Sequence, residues 1–350
     1  MANEFTAAFN GGTLSKETIK LAAPPTPRPE KKSARAFHWN FVFGGLILLA
    51  FLFTAYRYWI APPAQSSQTV GRVAFSDFNT ALDKATISLT GLPAPQSGSH
   101  YEAWLLSQGG ETRIGIGAIE MGSNGQGQLI FINANQRNIL AGFDQVEITL
   151  EPDNDPAPDE SSGEIVASSV FPPLALAHVR HVIVQFDSAP EHIALMQGLR
   201  KSASDLNTNA GELRAAFTAN DEKLLRRKTE EIINQLVGSE NPARYKDWNG
   251  DGALDDPSDG YGLLSNGDPG YNEQGYIAQV AAHTEFAAQS MDATANIQLH
   301  AAHVEICADN MDGWSKQLLE QALQVQDMPF GAEMEPLIAK LSALADQILS

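Results

Sequence analysis

The sequence predicts a membrane-anchored α+β protein: a single transmembrane helix, then an antiparallel β-sandwich, then an antiparallel helical bundle. Three observations predict it. An apolar stretch without a charged residue lies near the start, and short alternating apolar runs separated by turn residues follow it. From Ser188 onward the apolar period changes from two residues to 3.6. These divide the chain into a cytoplasmic tail without fixed structure (1–38), a span (39–60), a linker (61–69), a sandwich (70–187) and a bundle (188–350) with a calcium-type loop at 245–262.

The span is WNFVFGGLILLAFLFTAY, Trp39 to Tyr56. At helical rise it covers roughly 27 Å, close to the hydrocarbon thickness of a bilayer. Trp39 stands at one end and Tyr56, Tyr58 and Trp59 at the other, where interfacial aromatics belong. Almost forty residues precede the run and no small-residue cleavage site follows it cleanly, a poor fit to a cleaved signal peptide. Lys31, Lys32 and Arg35 lie just before it and Arg57 alone just after, so the N-terminus is expected in the cytoplasm of a bacterial cell and residues 60–350 outside its membrane. The tail has little apolar content beyond SKETIKLAA from Ser15, a candidate short helix ended by Pro24.

Charge is divided unevenly. Residues 1–59 hold seven Lys or Arg and three Asp or Glu, leaving 16 basic and 39 acidic residues for the rest. A body so acidic is not built for nucleic acid, whose phosphates need the opposite sign; it suits solubility and cations. The single cysteine, Cys307, excludes an internal disulfide, and with no CxxC pair there is no zinc ribbon or finger.

Candidate strands are Arg72–Phe75, Ala85–Leu89, Tyr101–Leu106, Arg113–Ile119, Gln128–Ile132, Gln145–Glu151, Glu164–Ser168 and His178–Phe186, with a hairpin signal in SNGQG at 123–127. Eight short strands with turns between them suggest an antiparallel sandwich. Tyr101 and Trp104 read as core anchors. GIGAIEMG at 115–122 lacks the third glycine of a dinucleotide fingerprint and lies on strands, so its glycines read as packing positions in the core.

Within this region LPAPQSGSHYEAWLLSQGGETRIGIGAI, followed by VEITLEP, resembles the extracytoplasmic C-terminal domain of anti-sigma-K factors over about residues 68–186. Tyr101, Trp104, Gly115, Gly117, Glu151 and Pro152 carry the resemblance, falling in the family's order: a Leu-Pro turn, a Tyr-x-x-Trp strand, a glycine strand and a Leu-Glu-Pro edge. The resemblance implies regulation of a sigma factor, with residues 1–38 as the segment available to bind it. The family's loop is here EPDNDPAPDESSGE, expected to be solvated.

Helices are expected near 189–217, 221–237, 272–290, 293–326 and 332–349, with capping boxes at Ser188–Glu191 and Thr218–Asp221 and Gly238 as a stop. Short connections favour an antiparallel bundle. The long loop at 239–271 holds DWNGDGALDD, whose oxygen-bearing residues alternate as in an EF-hand-type or dockerin-like calcium loop. Asp247, Asn249 and Asp251 take positions 1, 3 and 5, Gly252 the sharp turn, Ala253 the carbonyl position and Asp255 position 9. Ser258 stands where the usual bidentate Glu would, so Asp259 is the candidate last ligand. Tyr245, Trp248 and Tyr261 are available to pack the loop on the bundle. RRK, Arg226 to Lys228, reads as a solvated face paired with Glu222, Glu230 and Glu231.

The fourth expected helix carries LHAAHVEICADNMDGW, and along that helix Ile297, His300, Val304, Cys307, Met311, Trp314 and Leu318 repeat at 3-4 spacing and predict one inward stripe. His300, His303 and His283 are therefore candidates for a transition metal or haem inside the bundle; the other reading is core histidines bonded to neighbours such as Glu231 or Asn234.

No GxSxG, SxxK, P-loop or HExxH motif is present, and no enzyme is expected. Two functions fit: a membrane-anchored sensor or regulator of sigma-factor-type transcription, with an extracytoplasmic protein or ligand as its second partner, or an exported non-enzymatic metal-binding or structural module without a sigma factor.

Overall fold

The structure, a computed structural model, describes residues 5–8, 69–78, 82–267 and 273–350. The expected span at 39–60, most of the tail and nearly all of the linker lie outside these residues. Among the described residues no helix is long and apolar enough to cross a membrane.

Among the described residues nine strands form two antiparallel sheets. They are β1 (Phe5–Ala8), β2 (Gly71–Ser76), β3 (Lys84–Leu89), β4 (Ser99–Leu106), β5 (Arg113–Ala118), β6 (Glu120–Met121), β7 (Gly127–Ile132), β8 (Gln145–Pro152) and β9 (Ile165–Val170). One sheet runs β1-β2-β3-β7-β6 and the other β5-β4-β8-β9. Alternation along β2 and β3 turns Val73, Phe75, Ala85, Ile87 and Leu89 inward against Tyr101, Ala103, Leu105, Val146 and Ile148 of the second sheet. The first seven predicted strands match observed ones within two residues. β1 lies antiparallel to β2, with Thr6 opposite Ala74, so these four residues are strand rather than structureless tail.

Tyr101 and Trp104 have opposite parity on β4 and anchor opposite faces. Tyr101 sits between the sheets and donates to the Pro93 carbonyl at 3.0 Å; Trp104, on the outer face, is 1% exposed, and its Nε1 donates to Thr149 Oγ1 at 2.8 Å. The glycines of GIGAI are not core residues. Gly115 is exposed, and a Cβ on it would lie 3.2 Å from the Trp104 ring; Gly117 adopts φ 121° where the β4–β5 register shifts. Glu151, of the Leu-Glu-Pro edge, is buried and accepts from the Ser162 amide with both oxygens, pinning the end of the acidic loop.

The eighth predicted strand is a helix. α1 (Pro173–Ile183) replaces His178–Phe186, and five more helices follow: α2 (Leu195–Thr218), α3 (Glu222–Val237), α4 (Tyr276–Gln289), α5 (Ala295–Asp327) and α6 (Glu335–Leu349). The five later helices match those expected, with corrected caps. Ser188 starts no helix: residues 190–192 form a 3-10 turn and α2 begins at Leu195. Asp221 itself caps α3 by accepting from the Leu224 amide, whereas Thr218 belongs to the end of α2.

α2 packs on α3 and α6, and α5 packs on α3, α4 and α6. The buried seam of α5 is two interleaved seven-residue series, Ile297, Val304, Met311, Leu318, Val325 and Ala301, Ala308, Ser315, Ala322. Cys307 is therefore exposed and His300 partly so, against the expected stripe, and His303 is exposed as well. Small side chains at alternate seam positions let neighbouring helices approach closely, and a reading weighted toward large side chains passes over them.

Candidate metal centre

α1 explains why two histidines enter the site. Pro173 opens it with a fixed φ, and Ala175, Leu176, Val179 and Val182 recur at 3-4 spacing on the buried side. Its free first-turn amides are capped from afar: Leu174 and Ala175 donate to the Asp292 carboxylate at 2.7 and 3.1 Å. His178 and His181, three residues apart, share one helical face. α4 packs against α1 and brings His283 between them.

His283 Nδ1 lies 3.1 Å from His181 Nδ1 and 3.4 Å from His178 Nδ1. His178 and His181 are partly buried, His283 is the most enclosed of the three, and each offers a ring nitrogen within 4.8 Å of the others. Among the described residues no other three His, Cys, Asp or Glu groups gather this closely. Phe186 flanks His181 and His283 at ring separations of 5.3 and 4.8 Å, and Phe286 flanks His178 and His283 at 5.3 and 5.7 Å. Burial, reinforced by His181 and His178, pushes the His283 pKa down to about 4. Burial and His178 also lower that of His181, partly opposed by Asp187. His181 and His283 thus present uncharged ring nitrogens at neutral pH.

His283 is the one member of the expected trio in this group. His300 and His303 face each other on α5 with ring centroids 6.1 Å apart and join no ligand-distance group among the described residues. Glu231 and Asn234, named as alternative partners for the histidines, are engaged elsewhere. His178 and His181 were missed because VRHVIV looks like a strand; the signal for them was the Pro-Pro opening of a helix followed by His-x-x-His.

The 245–262 loop is assembled on α3. The C-terminal half of α3 is buried on every face, because the loop covers the side the bundle leaves open. Glu230 accepts from the amides of Trp248, Asn249 and Asp255 at 2.9–3.0 Å. Asn234 bonds Lys246 and Asp255. Tyr261 is buried and Tyr245 and Trp248 partly buried against the bundle, as expected.

Of the calcium candidates, Asp247 accepts from Gly250 and Gly252, Asn249 from Asp251, and Asp251 from Ala253. Asp255 pairs with Arg227, and Asp259 accepts from the Tyr276 hydroxyl and the Tyr261 amide. The RRK run is more than a solvated face. Arg226 pairs with Glu222 and also donates to the carbonyls of Val325, Gln326 and Met328, capping the end of α5. Arg227 and Lys228 pair with Glu231, while Glu230 turns to the loop.

Compared with known families, residues 54–165 match the family described as anti-sigma-K factor rskA, C-terminal. The match runs from within the predicted span, across the sandwich, to the start of β9. No curated protein and no solved structure matches the chain.

Proposed function

We propose that this chain is a single-pass membrane regulator of sigma-factor-dependent transcription, non-enzymatic, with its N-terminus in the bacterial cytoplasm and its sandwich and bundle outside. The observation that carries the reading is the anti-sigma-K C-terminal match at 54–165, which starts inside the predicted apolar span and continues through the sandwich. The acidic body outside receives the signal, from a protein or small ligand, and residues 1–38 act on the sigma factor. A calcium ion on Asp247, Asn249, Asp251, Ala253, Asp255 and Asp259 braces the bundle; the turn already formed around the Asp247 carboxylate supports this. In the inserted chain β1 and β2 lie on opposite sides of the bilayer, so their pairing belongs to the chain outside a membrane.

The test is affinity capture of purified host sigma factors on immobilised residues 1–38. Retention of one of them, lost on scrambling the segment, is expected. If none is retained, the transcriptional role falls and the exported metal-binding or structural module takes its place.

A further inference from the structure

We propose that His178, His181 and His283 bind a divalent transition-metal ion of the zinc and copper class, and that this ion clamps the helix leaving the sandwich onto the helical bundle. The site is independent of any sigma factor and of the calcium loop.

The spacing fits. Two imidazole nitrogens bound to one zinc at ~2.0–2.1 Å in a tetrahedral arrangement stand ~3.3 Å apart, and the separations on either side of His283 are 3.1 and 3.4 Å. The proton count points the same way. The Nδ1 of His283 faces two other ring nitrogens but carries at most one proton, so one hydrogen bond leaves the third nitrogen's lone pair or proton opposed. A cation accepting three lone pairs resolves that conflict. Donor type selects the ion: three imidazoles suit zinc, copper, nickel or cobalt, whereas calcium and magnesium require oxygen. Phe186 and Phe286 wall the cluster with apolar surface, and three protein ligands leave a tetrahedral ion one open position.

The position gives the ion a purpose. α1 follows β9 after two residues, and it is bound to the sandwich through Arg180 Nε on the Leu140 carbonyl and through Asn138 Nδ2 on the Ile183 carbonyl. On the bundle side Ala175, Leu176 and Val179 pack against Ala287 and Ile297, with Ala293 beside them, and the Asp292 carboxylate caps the first turn of α1. A metal bridging α1 and α4 would add a further tie across this joint, and its removal would loosen sandwich from bundle.

The test uses the full-length protein without a histidine tag, purified in detergent from metal-depleted medium. It is titrated with Zn²⁺ by calorimetry and with Co²⁺ by visible absorption. We expect one ion per chain, with the intense d–d bands of four- or five-coordinate cobalt, undiminished by excess Ca²⁺. His178→Gln, His181→Gln and His283→Gln should each weaken binding by more than the roughly 10–100-fold typical of losing an outer partner. A His300→Gln/His303→Gln double variant should bind as wild type does. Where His283→Gln perturbs the circular dichroism, the more peripheral His178→Gln decides. Failure of the wild type to bind stoichiometrically, full binding by His178→Gln, or loss of binding in the His300/His303 double variant would each overturn the proposal.

Discussion

Gly198 of α2 lies flat against the ring of Tyr276: a Cβ built on the glycine would stand 2.0 Å from Cε1 and 2.2 Å from Cζ. Tyr276 cannot retreat. It is fully buried, its ring tilted against that of Tyr261 with centroids 4.7 Å apart, and its hydroxyl donates to Asp259 at 2.6 Å. Gly198→Ala therefore forces α2 and α4 apart. We expect a loss of about 1–3 kcal/mol, the usual cost of overpacking a filled core, read as a lower melting temperature. Gly211→Ala, on the same helix with open space around it, should be neutral or stabilising. Equal effects at the two glycines would refute the packing argument.

Glu230 offers a second measurable dependence. Its fully buried carboxylate is the acceptor for three loop amides, so Glu230→Ala leaves those donors unpaired. At the usual penalty for unsatisfied groups this should cost roughly 3–5 kcal/mol. Hydrogen exchange at Trp248, Asn249 and Asp255 should accelerate far more than exchange in the sandwich. Unaltered protection at those amides would mean the loop is held by other contacts.

How much of this was legible follows from the kind of signal each residue leaves. The sandwich could be read because alternation such as that of Val73 and Phe75 against Ala74 is local and has a fixed period. The bundle could be read because Leu199, Leu206 and Leu213 keep a seven-residue spacing on α2. α1 was misread because VRHVIV has strand-like composition, while what makes it helical, Asp292 capping it across more than a hundred residues, is tertiary. Half of the α5 seam, Ile297, Val304, Met311 and Leu318, was read correctly, but its companion series was put on His300, Cys307 and Trp314, one residue early, because Ala301, Ala308 and Ser315 are buried yet carry little hydrophobic weight. Glu230 was assigned to a solvated face because nothing nearby in sequence reveals that a loop closes over it.

The tyrosines around the loop carry a pH dependence with a definite sign. Burial first, and then Asp256, pushes the Tyr245 hydroxyl up to about 12; burial and Asp259 push Tyr261 up to about 12; Tyr276 is raised further by burial and its bond to Asp259. In the unfolded chain these hydroxyls ionise near the ordinary value of about 10. Between roughly 10 and 12 the native state keeps protons the unfolded state has lost, so stability is full below that window and falls as pH rises through it. Ultraviolet titration of the native protein should show at least three of the seven tyrosines un-ionised near pH 11, with their release coinciding with unfolding. Smooth titration of all seven near pH 10 in folded protein would contradict the burial.

Calcium on the 247–259 loop predicts a conditional stability effect. Chelation should lower the melting temperature of the wild type, and the Asp247→Ala/Asp251→Ala variant should melt at one temperature with or without Ca²⁺. Asp247 also holds the amides of Gly250 and Gly252, so the variant will lose some stability in chelator too; the informative quantity is the difference between the two conditions. If chelation leaves wild-type melting unchanged, the alternating Asp and Asn residues serve only as turn formers.

Membrane passage and the β1–β2 ladder exclude one another, and the strand register turns that into an experiment. Thr6 stands opposite Ala74 in an antiparallel pair, where Cβ atoms are ~4.5–5.5 Å apart, within reach of a disulfide after slight adjustment. With Cys307 replaced by Ser, the Thr6→Cys/Ala74→Cys variant should form an intramolecular disulfide after extraction into detergent and oxidation, when both segments share one solvent. In intact membranes the cysteines of an N-in chain are separated by the bilayer, and oxidant should produce no such bond. A disulfide formed in intact membranes would place residues 5–8 beside the sandwich on one side, and the single-span topology together with a cytoplasmic sigma-binding tail would have to be abandoned.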